Sequence, residues 1–224
     1  MHKQILFKSA GILAIIGGLI CYVSDHLLRG GVGPGPAISF IDALRTAPFG
    51  PVYWGSIIGY AALPLWLLGL WPLYRALEPA GPRLAAVPVI LLGYALALFP
   101  GYHYAAALYA LGFQVVDANS DNLLNDQLMQ VHDGALMAIA GPLTIASRWV
   151  LVLILTGKTR YARWMAIISP FLAPLAYSLA AMIPSPWGAY IIPGAGTLVF
   201  TLFFALALWV TWGTAKTDLD RIPV

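Results

Sequence analysis

The chain has 224 residues, 60% of them hydrophobic and 9% charged, with a mean hydropathy of +0.81. That balance excludes a soluble globular domain and makes the bilayer the solvent for most of the surface. The formal charge of +3 comes from basic residues in loops on one side, so it gives no warrant for a nucleic-acid partner.

The first apolar run, Ile5–Leu28, follows Lys3 and carries Lys8 near its start. It is longer than the core of a signal peptide and lacks a small-residue cleavage site, which predicts a retained first helix. Cys21, the single cysteine, lies within it and reads as a packing residue. After Arg29 comes a Gly/Pro-rich leash to Pro36, and then Ile38, Ile41 and Leu44 fall at helical spacing opposite Ser39, Asp42 and Arg45. The pattern predicts a short interfacial helix in the first outer loop. Further apolar segments at 51–77, 83–113, 126–157, 160–184 and 189–213 complete six spans with that at 4–28. The expectation is an all-α membrane protein: a six-transmembrane-helix bundle forming a single integral membrane domain over 1–224, with no room for a soluble enzyme domain. Between the third and fourth spans, residues 114–125 hold Asp117 and Asp121 without any basic residue or calcium-loop spacing, and read as a solvated polar loop.

Lys3, Lys8, Arg75, Arg83, Lys158, Arg160, Arg163, Lys216 and Arg221 fall on one side of these spans, and Arg29 and Arg45 on the other. Positive residues gather inside, so both termini are expected to be cytoplasmic. Eight prolines, among them Pro64, Pro88, Pro100 and Pro142, lie in or near spans and predict bent helices that leave room for cavities. Gly55, Gly59 and the small residues from Gly134 to Gly141 suit close helix packing. No internal repeat and no matched pair of broken helices is evident, which counts against a transporter built of inverted halves.

Asp25, His26, His103, His132 and Asp133 all map to the outer side, and ionisable groups at membrane depth are functional candidates by default. Asp25 near the end of the first span and Asp133 near the start of the fourth reach similar depths in an antiparallel bundle, with His103 somewhat deeper. The competing reading of His103 is a buried ring satisfied by a tyrosine or a carbonyl. Consecutive helical residues diverge by about 100°, so His132 and Asp133, or Asp25 and His26, are not expected to face one centre. An acid/base pair therefore fits better than a full metal shell, and no metal site is assigned. The expected catalytic residues are Asp25, His103 and Asp133. His132, Tyr102, Tyr104, Trp54 and Tyr22 are the ligand-binding candidates, although for most of the outer aromatics an interfacial belt is the preferred reading. Arg148 is explained by snorkelling to the inner surface or by pairing with Glu78 or Asp218.

Four short motifs carry a resemblance. They are Ser24-Asp25-His26-Leu27-Leu28-Arg29-Gly30-Gly31; Gly59 with Pro64 and Leu68-Gly69-Leu70-Trp71; Gly101-Tyr102-His103; and Pro184-Ser185-Pro186-Trp187-Gly188. Together they resemble an uncharacterised family of small multi-pass bacterial membrane proteins, classed as a domain of unknown function. That family's pattern favours Gly before the first-span aspartate, where this chain has Ser24. The resemblance implies the membrane bundle and supplies no chemistry. From the residues, the expected function is a membrane-embedded enzyme, an intramembrane hydrolase or an acid-base isomerase or cyclase. It would use Asp25 and His103 on a lipid or isoprenoid-like substrate from the outer leaflet. The alternatives are a non-enzymatic binder of lipid or a hydrophobic small molecule, a proton-coupled carrier, and a purely structural membrane protein. The residues leave the cofactor open, and they imply no nucleic-acid partner.

Overall fold

The computed structural model describes residues 2–29, 44, 46–115, 123–170, 173–184 and 187–213. The helices are α1 (His2–Leu28), α2 (Phe49–Leu67), α3 (Leu70–Leu77), α4 (Pro82–Val115), α5 (Leu123–Leu155), α6 (Ala173–Met182), α7 (Trp187–Ile191) and α8 (Ala195–Thr211). Short 3₁₀ turns occupy Glu78–Ala80, Arg163–Ile168 and Ile192–Gly194, and no strand occurs among the described residues. In lipid every backbone polar group needs an internal partner, which leaves helices as the economical answer for so apolar a chain. The fold is all-α, and among the described residues five segments are long and apolar enough to cross a membrane: Gln4–Leu28, Phe49–Ala80, Pro82–Gly112, Asp126–Leu155 and Ile192–Thr211.

Two local departures from straight rods have visible causes. Residues Leu68 and Gly69 break the second span into α2 and α3, between Pro64 and Pro72, each of which lacks an N–H for the helix ladder. At Gly81 the chain turns into α4 with φ of 130°, a conformation that side-chain-bearing residues rarely adopt.

The helices form a curved row in the order α5, α4, α2, α1, α8, each packed on the next, while α3 and α6 lie against α8. Helices α1 and α8 run antiparallel, from Asp25 beside Thr197 at one end to Lys8 beneath the Trp212 ring, 4.1 Å from its centroid, at the other. The N-terminus of α1 and the C-terminus of α8 therefore share one end of the bundle, called here the terminal end. Near that end lies the main apolar core, in which Trp66 meets Phe99, Phe200 and Phe204 edge-on and Tyr161 stacks on Phe203 at 5.0 Å.

The segment expected as the fifth span, 160–184, is not one helix. Its start is pinned at the terminal end, where Arg160 N–H donates to Ala76 O at 2.8 Å and its Nε to Arg75 O at 3.1 Å. Farther on, Tyr22 at the opposite end of α1 donates its hydroxyl proton to Tyr190 O. Between these points the chain passes from one end of the bundle to the other, as a 3₁₀ turn and the ten-residue α6. The sixth crossing exists, but it is broken. Pro170 and Pro174 sit within it, and a run of helix there would lose two backbone hydrogen bonds. Of the expected interfacial helix at 37–47, only Leu44, Thr46 and Ala47 are described; Leu44 and Ala47 are buried against Leu28, Val52 and Tyr109. The rest of it, and most of the acidic loop at 114–125, lies outside the described residues.

Candidate functional site

The curved row does not close. Helix α5 packs along α4, and between α5 and the α6/α8 side lies a pocket of about 490 Å³. Its deep wall is apolar, made by Trp66 of α2, Leu96 and Phe99 of α4, Ile139 of α5 and Phe200 of α8. Asp25, Arg29, Tyr102, His132, Asp133 and Thr197 gather at the other end of the same pocket.

One wall is built from α1, α2 and α4. Asp25 Oδ1 lies 3.7 Å from His103 Nε2, and its Oδ2 accepts a 2.6 Å hydrogen bond from Thr197 Oγ1. The side chains are 14% exposed for Asp25 and 2% for His103. Asp25 faces the pocket, and His103 stands behind it. Ser24, the residue before, points about 100° away around α1, so the single ring of His103 meets both: Ser24 Oγ lies 3.2 Å from His103 Nδ1. The same hydroxyl donates to Gly55 O at 2.6 Å, and Ser56 Oγ donates to His103 O at 2.9 Å.

Hydrogen-bond roles follow from the proton count. Ser24 has one hydroxyl proton, which goes to Gly55 O, so its oxygen accepts from His103 and Nδ1 carries the hydrogen. A neutral ring then turns the Nε2 lone pair toward Asp25. Two lone pairs repel, so an attractive contact requires one proton between Asp25 and His103, on either partner. The 3.7 Å gap is an ion-pair separation, longer than a direct hydrogen bond.

Close approach of the three helices depends on two glycines. A Cβ at Gly59 would run into His103 Nδ1 and Ser24 Oγ, and one at Gly55 would meet Leu27 and the α1 backbone. With these positions bare, α2 lies flat enough for α1 and α4 to share its polar groups.

The opposite wall belongs to α5. His132 is buried, with its side chain 3% exposed, between the rings of Tyr102 and Tyr109, whose centroids lie 5.0 and 6.2 Å away. Its Nδ1 lies 3.1 Å from Oδ1 of Asp133, which is 53% exposed. The expectation that these neighbours diverge too far to face one centre fails here. The backbone does diverge, but the half-exposed carboxylate folds back to its neighbour's ring and both line the pocket. Asp25 and His26 do separate, since His26 packs edge-on against Tyr22 at 4.6 Å, away from the pocket.

The structure thus brings Asp25, Asp133, His132 and Tyr102 to one pocket with His103 directly behind. It does not bring the other three ligand-binding candidates there. Tyr104 is exposed and meets Tyr60, Trp54 is exposed beside Tyr53, and Tyr22 is engaged with Tyr190 and His26. Tyr104 follows Tyr102 by two residues and so falls on the far face of α4, while Trp54 precedes Gly55 and faces outward. Among the described residues no group of three His, Cys, Asp or Glu side chains is placed to hold a metal ion. Glu78, considered a partner for Arg148, pairs with Arg75 at 2.6 Å, and Arg148 lies in a groove on the outer face of α5 with Ile145, Trp149 and Val152.

Sequence reasoning missed Ser24, Thr197 and Trp66. Thr197 and Thr201 stand four apart in the otherwise apolar α8, which marks one helix face, but a hydroxyl in a membrane helix also satisfies itself on its own backbone, as Thr201 does on Thr197 O at 2.7 Å.

Comparison with curated proteins and with solved structures finds no match to this chain. A family model does match: that of DUF6796, a family of unknown function, over residues 1–212, nearly the whole sequence, and the chain belongs to that family.

Proposed function

We propose that the protein is a membrane-embedded acid-base enzyme that moves a proton on a lipid or isoprenoid-like molecule held in the pocket. The observation that carries this reading is a carboxyl group, Asp25, at the polar end of a largely apolar cavity with its proton partner His103 buried behind it. In the protonated pair, Asp25 donates its proton to a double bond of the ligand, and the resulting cation lies against the aromatic faces of Trp66, Phe99, Phe200 and Tyr102. Loss of a proton from a neighbouring carbon returns it to the carboxylate or to Asp133 across the pocket. The proton count balances, and the product is an isomer or a cyclised form.

The basic residues around the terminal end, Lys8, Arg75, Arg83, Lys158, Arg160 and Arg163, support placing that end in the cytoplasm and the pocket toward the outer leaflet of a bacterial cytoplasmic membrane. Single cysteines at Asp126 and Lys158 in a Cys21→Ser background check this, since an impermeant thiol reagent applied outside cells should label only the Asp126 position.

The activity is tested by incubating the reconstituted protein with a membrane lipid extract in heavy water. Wild type should place carbon-bound deuterium in one lipid class, and Asp25→Asn should lose this by roughly 10²- to 10⁴-fold. The asparagine can accept from Thr197 and donate to His103 Nε2, so thermal stability should hold. A lipid that co-purifies in the pocket without gaining deuterium would make the protein a binder.

A further inference from the structure

We infer that the pocket's ligand is a single-chain amphiphile that enters sideways from the bilayer through the seam between α5 and the α6/α8 side, its chain toward Trp66 and its headgroup between Asp25 and Asp133. The inference rests on the proposed lipid-directed chemistry of Asp25 for its substrate, and on separate observations for the route.

The seam is where the curved row of helices fails to close. Helix α5 has its extensive packing with α4 alone, while α6 packs on α8. Two residues of α5 that line the pocket, Asp133 and Leu136, are themselves well exposed, at 53% and 42%. On the facing side the rim is Ala173 and Gly196, which present almost no side-chain bulk. The pocket's opening is therefore continuous with the hydrocarbon surface of α5. The broken sixth crossing adds an independent observation. Irregular backbone at membrane depth is tolerated where it is buried in protein or borders a cavity, and Ala173 and Pro193, at the edges of the irregular stretches, both line this pocket.

Size and polarity name the occupant. A methylene takes up close to the ~30 Å³ of a liquid water molecule, so about 490 Å³ has room for one chain on the order of fifteen carbons. The deep wall of Trp66, Leu96, Ile139 and Phe200 suits that chain. At the mouth two carboxylates face one guanidinium, Arg29, which favours a headgroup that donates hydrogen bonds, such as an alcohol or an amine, over a phosphate.

The test uses the full protein in phosphatidylcholine vesicles carrying a sixteen-carbon alcohol or a fifteen-carbon prenyl alcohol, each with a diazirine near the chain end. Illumination should label residues around Trp66, Ile139 and Phe200. The matching unlabelled alcohol should compete, whereas extra phosphatidylcholine and a single-chain phosphate should not. Whichever probe labels more strongly identifies an acyl or a prenyl chain. For the route, Leu136→Cys with Ala173→Cys in a Cys21→Ser background is bridged by a cleavable bis-maleimide; pocket labelling should fall at least tenfold and recover on cleavage. Labelling spread evenly over the lipid-facing helices overturns the inference, and undiminished pocket labelling in the bridged protein overturns the lateral route. The deuterium assay separates the two ideas: a wild-type protein that labels in the pocket without ever transferring deuterium retains this ligand and loses the proposed chemistry.

Discussion

The pocket has two carboxylate–histidine pairs on facing walls, and they are made in different ways. Asp25 and His103 come from α1 and α4, are almost enclosed, and are tied to Thr197, Ser24 and, through His103 O, to Ser56. His132 and Asp133 are chain neighbours on α5, with the carboxylate half exposed and bare glycines nearby: a Cβ at Gly134 or Gly141 would touch nothing within 4 Å. The first pair is held by tertiary structure, the second by local geometry. A group that must keep one orientation during proton transfer needs the former, whereas a group beside a portal benefits from freedom to move.

The largest expected effect separates the two carboxylates. Asp25→Asn should lower deuterium transfer by at least 100-fold, while Asp133→Asn should lower it less than tenfold, because its orientation is not fixed. Equal losses would make the walls equivalent and remove the distinction. Next comes Gly59→Ala, whose methyl would displace His103 and Ser24; overpacking of this kind costs about 1–3 kcal/mol, measured by thermal unfolding in detergent, and should also shift the His103 ring resonances. Ser24→Ala should cost about 1–2 kcal/mol, since Gly55 O and His103 Nδ1 lose a common partner, and the ring should lose its fixed tautomer as read by nitrogen chemical shifts. The smallest effect belongs to the loose wall. Gly134→Ala should leave stability unchanged or raise it by up to about 1 kcal/mol; a clear loss there would show that α5 is packed against something the single chain does not include.

Much of this was legible from residue order. Hydropathy marks the long helices because a bilayer demands about 20 apolar residues per crossing, and counting residues from span ends brings Asp25, His103 and Asp133 to neighbouring depths. The broken crossing was not legible, since its apolar content equals that of an intact span and only Pro170 and Pro174 hint at the interruption. Thr197 and Ser24 were hidden because a hydroxyl in lipid has a local backbone partner available, so its sequence gives no sign of a distant one. The pocket itself depends on a helix pair that does not meet. No periodicity within α5 or α8 records that, because each helix is apolar toward lipid and cavity alike.

The separation of Asp25 and His103 also bears on how the protein responds to an electric field. Moving one elementary charge across the whole membrane is worth about 2.3 kcal/mol per 100 mV, and the hydrocarbon core is about 30 Å thick. A proton that passes between these two side chains travels 3.7 Å at most, so the field contributes no more than ~0.3 kcal/mol per 100 mV to its position. The resting voltage of a cell therefore leaves the position of a proton within the pair almost untouched. Chemistry at Asp25 should run at the same rate in polarised and depolarised vesicles, whereas a carrier driven by voltage would need charge to move along a far longer path than this pair provides.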